Sequence, residues 1–121
     1  MTANEILQCL VRSLDKHLAR DITAIDVVGI SAITDYFVFA TGGSHTQVKA
    51  LCDYLENDAA KAGLHAARVE GYAGASWILL DFGQVVVNLF LKESREFYDL
   101  ERLWQDGTTI DITDFTETEE I

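Results

Sequence analysis

The segment DYFVFAT, residues 35–41, constrains the fold of this chain more than any other segment. It is almost entirely apolar, and a strand with apolar residues on both sides is typical of the centre of a sheet whose two faces are covered. A helical stripe follows, because Val48, Leu51 and Leu55 recur at helical spacing. A central strand followed by an amphipathic helix predicts an α/β fold.

The other periodic segments extend this pattern to a complete domain. Thr2 and Glu5 have the spacing of a capping box at the start of a first helix. The strands on either side of the second helix are expected to be parallel, and the last two strands should form an antiparallel hairpin. We therefore expect a mixed sheet of about five strands with flanking helices, in the order α-β-β-α-β-β-β-α. The predicted helices are 3–19, a second helix between the Ser44 cap and Gly63, which ends it, and 93–104. The predicted strands are 24–28, 35–41, 68–72, 77–82 and 85–90.

The chain of 121 residues has the length of one domain, and 49% of its residues are hydrophobic, which is enough for a packed core. We predict a single domain over residues 1–107. Residues 108–121 are expected to form an acidic, disordered tail, because the stretch DITDFTETEEI contains five acids and no base.

The net charge of −11 limits the kinds of partner that the chain can bind. Phosphate binding normally requires a patch of Lys and Arg, so direct binding to nucleic acid is not expected, whereas a basic protein partner is favoured. No apolar run approaches the ~20 residues of a membrane span, and the N-terminus has no secretory or Arg-rich transit pattern. We therefore expect a cytoplasmic protein that binds no membrane, with Cys9 and Cys52 as buried free thiols.

The loop ATGGSHTQVKA, residues 40–50, is the most enzyme-like part of the sequence. It lacks the Lys of a Walker loop and the GxGxxG pattern of a dinucleotide site. A strand, Gly-Gly-Ser and a helix are similar to the start of a nucleotidyltransferase, but Glu70 and Asp81 do not supply its metal-binding carboxylates. We predict no catalytic residue, no metal site and no cofactor. Ser44 and Gln47 have capping-box spacing, and a nucleotide-binding or residual nucleotidyltransferase module is the alternative.

The strand WILLDF, residues 77–82, presents its side chains alternately on two faces, so that Trp77, Leu79 and Asp81 share one face. If the opposite face meets the helices, these three residues point outward. With Asn88 of the next strand they would then form an aromatic and aliphatic patch suited to a protein partner. If helices cover both faces, Trp77 belongs to the core. The alternation alone favours neither interpretation.

Six patterns follow one another along the chain: D-x-x-A-x-D-V, S-x-x-T-D-Y-F, A-T-G-x-S-x-x-Q-V, V-E-G, W-x-L-x-D-x-G and R-x-x-Y-x-L-E-x-L-W. Together they resemble the ribosomal silencing factor family, whose members are also called RsfS or Iojap-related proteins. The resemblance covers roughly residues 5–105, nearly the whole predicted domain. It implies a nucleotidyltransferase-like α/β fold that has lost catalysis, so that the protein is not an enzyme.

The resemblance also implies a function. Family members bind the large ribosomal subunit through its protein L fourteen and sterically block association with the small subunit, which represses translation under nutrient limitation. Dimers also occur in the family, so a homodimer is possible. One departure is Asn88, which stands where the family commonly has His. The expected partner-binding residues are Glu70, Trp77, Leu79, Asp81, Asn88, Tyr98 and Asp99.

Overall fold

The computed structural model describes residues 1–116, and its elements follow the predicted order with additions near the C-terminus. The helices are α1 (Ala3–Lys16), α2 (His45–Lys61), α3 (Lys92–Tyr98) and α4 (Leu100–Leu103). The strands are β1 (Arg20–Asp26), β2 (Tyr36–Gly42), β3 (Arg68–Glu70), β4 (Trp77–Asp81), β5 (Val85–Leu91) and β6 (Thr108–Thr109). A single 3₁₀ turn covers Thr113–Phe115 within the described residues.

The strands form one mixed sheet in the order β3-β4-β5-β2-β1-β6. β2 and β5 are parallel, and the other neighbouring strands are antiparallel. β2 is internal and almost completely buried, as its apolar sequence predicts. The strands on either side of α2 run in the same direction, as predicted, although β5 and β4 lie between them. The mixed α/β class predicted from the sequence is confirmed, with six strands in residues 1–116 rather than about five.

The sixth strand comes from the segment expected to be disordered, and this prediction is wrong for residues 108–116. β6 pairs with the end of β1, which extends the sheet at that edge. Ile110, Ile112 and Phe115 then pack against the core. The prediction of disorder relies on the number of acidic residues and does not take these three apolar residues into account. Their burial offsets the entropy lost by ordering the segment. The remainder of the predicted tail, 117–121, lies outside the described residues.

α1 and α2 cover one face of the sheet and form the main core with it. The predicted capping box begins α1, since the Glu5 amide donates to Thr2 Oγ1 at 3.1 Å and the Thr2 amide donates to Glu5 Oε1 at 2.9 Å. α1 ends at Lys16, because Leu18 adopts a positive φ of 65° and turns the chain into β1 earlier than predicted. No helix in the described part of the chain is long and apolar enough to cross a membrane.

A polar contact joins α1 to α2 at the edge of this core. Ser13 Oγ donates to Asp58 Oδ2 at 2.7 Å, and His17 Nε2 lies 3.2 Å from the same oxygen. The His17 ring also stacks on Tyr54, with the ring centroids 3.9 Å apart. The hydrogen bond from Ser13, followed by that from His17, holds the pKa of the Asp58 carboxyl below its usual value.

We expect Ser13→Ala to lower the free energy of unfolding by about 1–2 kcal/mol at neutral pH. The folded pKa of Asp58 is depressed below its unfolded value of about 3.9, so the stabilisation is present above that value and is lost as the pH falls through the folded pKa. Urea unfolding at pH 7 and pH 3 measures this, and the difference between wild type and variant should be smaller at pH 3. An equal difference at both pH values would assign the loss to packing of Ser13.

Candidate functional site

β4 has one buried face and one partly exposed face. Ile78 and Leu80 are fully buried in the core beneath α1 and α2. Trp77, Leu79 and Asp81 lie on the opposite side of the sheet, hereafter the front face, and all three are partly exposed. The alternation predicted for WILLDF is therefore present. Its front residues are neither fully exposed, as the outward-facing interpretation requires, nor fully buried, as the core interpretation requires.

A second apolar cluster fills the front face between the strands and α4. The Trp104 ring packs on Phe37, with centroids 4.9 Å apart, and Leu100 contacts the same cluster. α4 thus covers part of the front face, whereas the front residues of β4 remain partly exposed. The buried members of this cluster are Ile25, Val27, Phe37, Phe39, Val86 and Phe90.

Trp77 lies where the covered and exposed parts of the front face meet. Its ring stacks on Phe90 at 5.3 Å between centroids, and the Tyr98 ring packs on it at 4.8 Å. Its indole Nε1 donates to Asn88 Oδ1 at 2.9 Å. The structure therefore brings Trp77, Tyr98 and Asn88 together, and it fixes the indole while leaving part of it accessible to a partner.

Asn88 lies beneath Trp77, and only 1% of its surface is exposed. The prediction that Asn88 contacts a partner directly does not agree with this burial. Its flanking residues across the sheet are Phe39 and Leu79, and these neighbours exclude it from solvent. Its Oδ1 instead holds the Trp77 indole, while its Nδ2 is buried without a hydrogen-bond partner among the described residues.

Three of the predicted contact residues are carboxylates: Glu70 lies on β3, Asp81 on β4 and Asp99 at the α3–α4 junction. Arg68 is 3.9 Å from Glu70 and 3.6 Å from Asp81, and Asp81 also accepts from the Gly83 amide at 2.8 Å. Asp99 is exposed between α3 and α4, where its φ of 47° places it in the left-handed region. Ion pairs as exposed as those of Arg68 contribute at most about 1 kcal/mol. A basic partner can therefore displace Arg68 from these carboxylates at little cost.

Two exposed apolar residues were not among the predicted contacts. Phe97 is 81% exposed and Leu103 is 69% exposed, and the Phe97 ring meets Tyr98 edge to face at 5.1 Å. The helical spacing of these two residues is the only sequence pattern that could have identified them as surface residues. That spacing predicts one continuous helix over 93–104, whereas the helix breaks at Asp99. We define the docking patch as seven residues of this region, which are Leu79, three aromatic residues and the three carboxylates: Glu70, Trp77, Leu79, Asp81, Phe97, Tyr98 and Asp99.

The Gly-Gly-Ser loop serves as a helix cap. Ser44 Oγ accepts from the Gln47 amide at 3.1 Å, so the predicted cap is confirmed. The Gln47 side chain accepts from the Gly43 amide and thus reaches one residue beyond the predicted capping box. His45 Nδ1 lies 3.0 Å from the Gly74 carbonyl oxygen. These contacts engage groups that a phosphate or a Ser–His pair would need.

Among residues 1–116, one trio of potential metal ligands lies together, with the ligand atoms of Cys52, Asp53 and Glu56 within 4.8 Å of one another. Burial raises the pKa of the Cys52 thiol to about 12, and the nearby Glu56 acts in the same direction. The thiol donates to Glu56 Oε1 at 3.7 Å. Because metals bind the thiolate, this trio is poorly suited to a metal ion. Cys52 is buried as predicted, whereas Cys9 is partly exposed.

The fold and the front face define a mixed α/β domain that carries an aromatic patch beside carboxylates. Residues 1–121 match the family described as "Ribosomal silencing factor during starvation", and the chain belongs to this family. The family resemblance that the six sequence patterns indicate is therefore confirmed.

Three similar proteins show how far the likeness extends. Ribosomal silencing factor RsfS of Halalkalibacterium halodurans is 39% identical over 112 residues, which cover 93% of this chain and 96% of that protein. "Mitochondrial assembly of ribosomal large subunit protein 1" of Mus musculus is 36% identical over 101 residues, which cover 81% of this chain and 44% of the mouse protein. A crystal structure of a Chromobacterium violaceum protein matches with a TM-score of 0.84 and 32% identity, and covers 87% of this chain and 88% of that chain.

Proposed function

We propose that this protein binds the large ribosomal subunit through ribosomal protein L fourteen and thereby blocks association with the small subunit. This binding would repress translation when nutrients are limited. The family description, with its reference to silencing during starvation, supports the role. The name of the mouse relative, which refers to assembly of the ribosomal large subunit, supports the choice of subunit.

The observation that carries the proposal is the composition of the docking patch. Trp77 and Tyr98 pack together yet remain partly exposed, and aromatic residues of this kind are enriched at protein interfaces. Asp81 and Asp99 add negative charge to a chain whose net charge is −11. Such a surface is complementary to a basic ribosomal protein, because opposite potentials accelerate the encounter and align the two surfaces.

The proposed mechanism is steric, so no bond is made or broken. A stable complex requires about 1,600 Å² of buried surface in total. The apolar residues of the docking patch would supply the desolvated centre of that interface, and the carboxylates would form its rim. A protein held at the face where the small subunit docks would prevent subunit joining. The protein would act in the cytoplasm, and self-association into a homodimer would cover the same patch.

Sedimentation with separated ribosomal subunits tests the proposal. The protein should sediment with large subunits and not with small subunits, and it should reduce formation of whole ribosomes when both subunits are mixed. Light scattering of the protein alone measures self-association in the same buffer. Binding to small subunits only would overturn the proposal.

Binding to large subunits should weaken as salt is raised from about 0.05 to 0.5 M, because the Debye length then falls from above ~10 Å to a few Å. Asp81 is partly exposed and Asp99 is exposed, so salt can screen their attraction to a basic surface. Titration of fluorescently labelled protein with large subunits at several salt concentrations measures the effect. An affinity independent of salt would indicate that the apolar residues of the docking patch carry the contact alone.

A further inference from the structure

α3 and α4 carry Phe97, Tyr98 and Asp99 of the docking patch, but few contacts within these helices attach them to the sheet. Among the described residues, neither helix has a fully buried side chain or a side-chain N-cap. Helices this short are not stable alone in water. The apolar anchors Leu100 and Trp104 both follow the break at Asp99. The direct continuation from β5 and the packing of Tyr98 on Trp77 therefore leave α3 weakly attached unless a further contact joins it to the sheet.

Arg95 supplies that contact from the middle of α3. Its side chain is 13% exposed, and its Nε donates to Glu101 Oε1 at 2.7 Å. Its Nη1 donates to the Asp21 carbonyl and to Thr41 Oγ1, each at 2.8 Å, and its Nη2 donates to Thr23 Oγ1 at 3.2 Å. One guanidinium thus joins α3 to α4, β1 and β2.

The acceptors around Arg95 are arranged for a planar, forked donor. A register shift between Arg20 and Thr23 interrupts the pairing of β1 with β2, and Asp21 adopts a φ of 51° within it. This bulge frees the Asp21 carbonyl for Arg95. Arginine presents five N–H groups spread over three nitrogens in one rigid plane, whereas the three N–H groups of lysine share a single nitrogen and cannot match the spacing of the four acceptors around Arg95.

The Arg95 backbone also takes part in shaping the docking patch. Its carbonyl accepts from the Asp99 amide at 2.9 Å and thereby closes the turn in which Asp99 takes its left-handed conformation. Tyr98 precedes this turn and packs on Trp77. Any rotation of α3 about the guanidinium would therefore separate the Tyr98 ring from the Trp77 ring.

We propose that Arg95 is a positioning residue of the docking patch: by joining α3 to β1, β2 and Glu101, it sets Tyr98 against Trp77 in the arrangement that the ribosomal partner recognises. This inference rests on the proposed function. Because its side chain is largely buried, Arg95 acts through Tyr98 and not through a contact of its own with the partner.

Arg95→Lys tests the proposal without changing the net charge. Nuclear Overhauser effects between the ring protons of Trp77 and Tyr98 should be lost or strongly reduced, and binding to large subunits should weaken about tenfold. Arg102→Lys is the matched control, since Arg102 is exposed on the neighbouring helix. The control should leave the ring contacts and the affinity unchanged. Glu101→Gln removes the charge of the carboxylate that Arg95 contacts. It should reduce the ring contacts and the affinity in the same direction as Arg95→Lys, but by less.

A double-mutant cycle separates positioning from general destabilisation. If Arg95 acts through Tyr98, Arg95→Lys should weaken binding by less than about twofold in a Tyr98→Ala background. The same tenfold loss in both backgrounds would overturn the proposal, as would unchanged ring contacts and affinity in Arg95→Lys. Failure of the wild-type protein to bind large subunits would overturn the proposed function instead, while the ring contacts would still report whether Arg95 places Tyr98.

Discussion

Replacing Trp77 by alanine is expected to weaken binding to the large ribosomal subunit by about 30-fold or more, the effect of losing an interface residue worth at least about 2 kcal/mol. The indole stacks on Phe90, packs on Tyr98 and is hydrogen-bonded to Asn88, so it is held in place before a partner arrives. A fixed aromatic residue loses little conformational entropy on binding. Titration of labelled protein with large subunits measures the loss.

The control for Trp77→Ala is Tyr54→Ala. Tyr54 is 49% exposed and lies on α2, which covers the opposite face of the sheet. Its removal deletes an exposed aromatic ring but should leave large-subunit affinity within twofold. Circular dichroism and urea unfolding establish that both variants remain folded. If Trp77→Ala binds as tightly as the wild type, the docking patch is not the contact surface and the front face loses its proposed role.

The shared side of Trp77, Leu79 and Asp81 could be predicted because it follows from local geometry. Side chains alternate along any strand, so the three must lie together once β4 forms. The extent to which they are covered could not be predicted in the same way. For Trp77 that coverage comes from α3, whose Tyr98 packs on the indole and is distant from it in the sequence.

The break between α3 and α4 shows a further limit of local patterns. Helical spacing continues through residues 93–104, so the sequence offers no local sign of an interruption at Asp99. The acceptors of Arg95 on Asp21, Thr23 and Thr41 become neighbours only when the sheet is complete. Tertiary contacts thus override a helix propensity that is worth less than 1 kcal/mol per residue.

Asn88 illustrates the same point for a strand. A polar residue in a strand is typical of an exposed position, and the sequence analysis accordingly predicts that Asn88 contacts a partner. Its burial results from its neighbours Phe39 and Leu79 and from Trp77, whose indole needs an acceptor. The helix cap at Ser44, by contrast, requires only residues within one turn, and it could be predicted correctly from their spacing.

Gly71→Ala should have a large effect on stability, a loss of at least about 3 kcal/mol in the free energy of unfolding. Gly71 has a φ of 83°, in the left-handed region, which costs other residues about 1–2 kcal/mol. A Cβ at this position would lie 2.1 Å from the Trp77 carbonyl oxygen, so the connection between β3 and β4 must move. The movement displaces the backbone of Trp77 and should therefore weaken large-subunit binding as well.

Gly83→Ala isolates the contribution of that contact. Gly83 has a similar φ of 86°, but no atom lies within 4 Å of the position that its Cβ would take. It should therefore lose only the conformational cost of about 1–2 kcal/mol. Urea unfolding of the wild type and both variants gives the two losses, and their difference measures the clash with the Trp77 carbonyl. Equal losses would mean that the 71–77 loop accommodates the added methyl group. Trp77 would then keep its position, and the Gly71→Ala variant would bind the large subunit as tightly as the wild type.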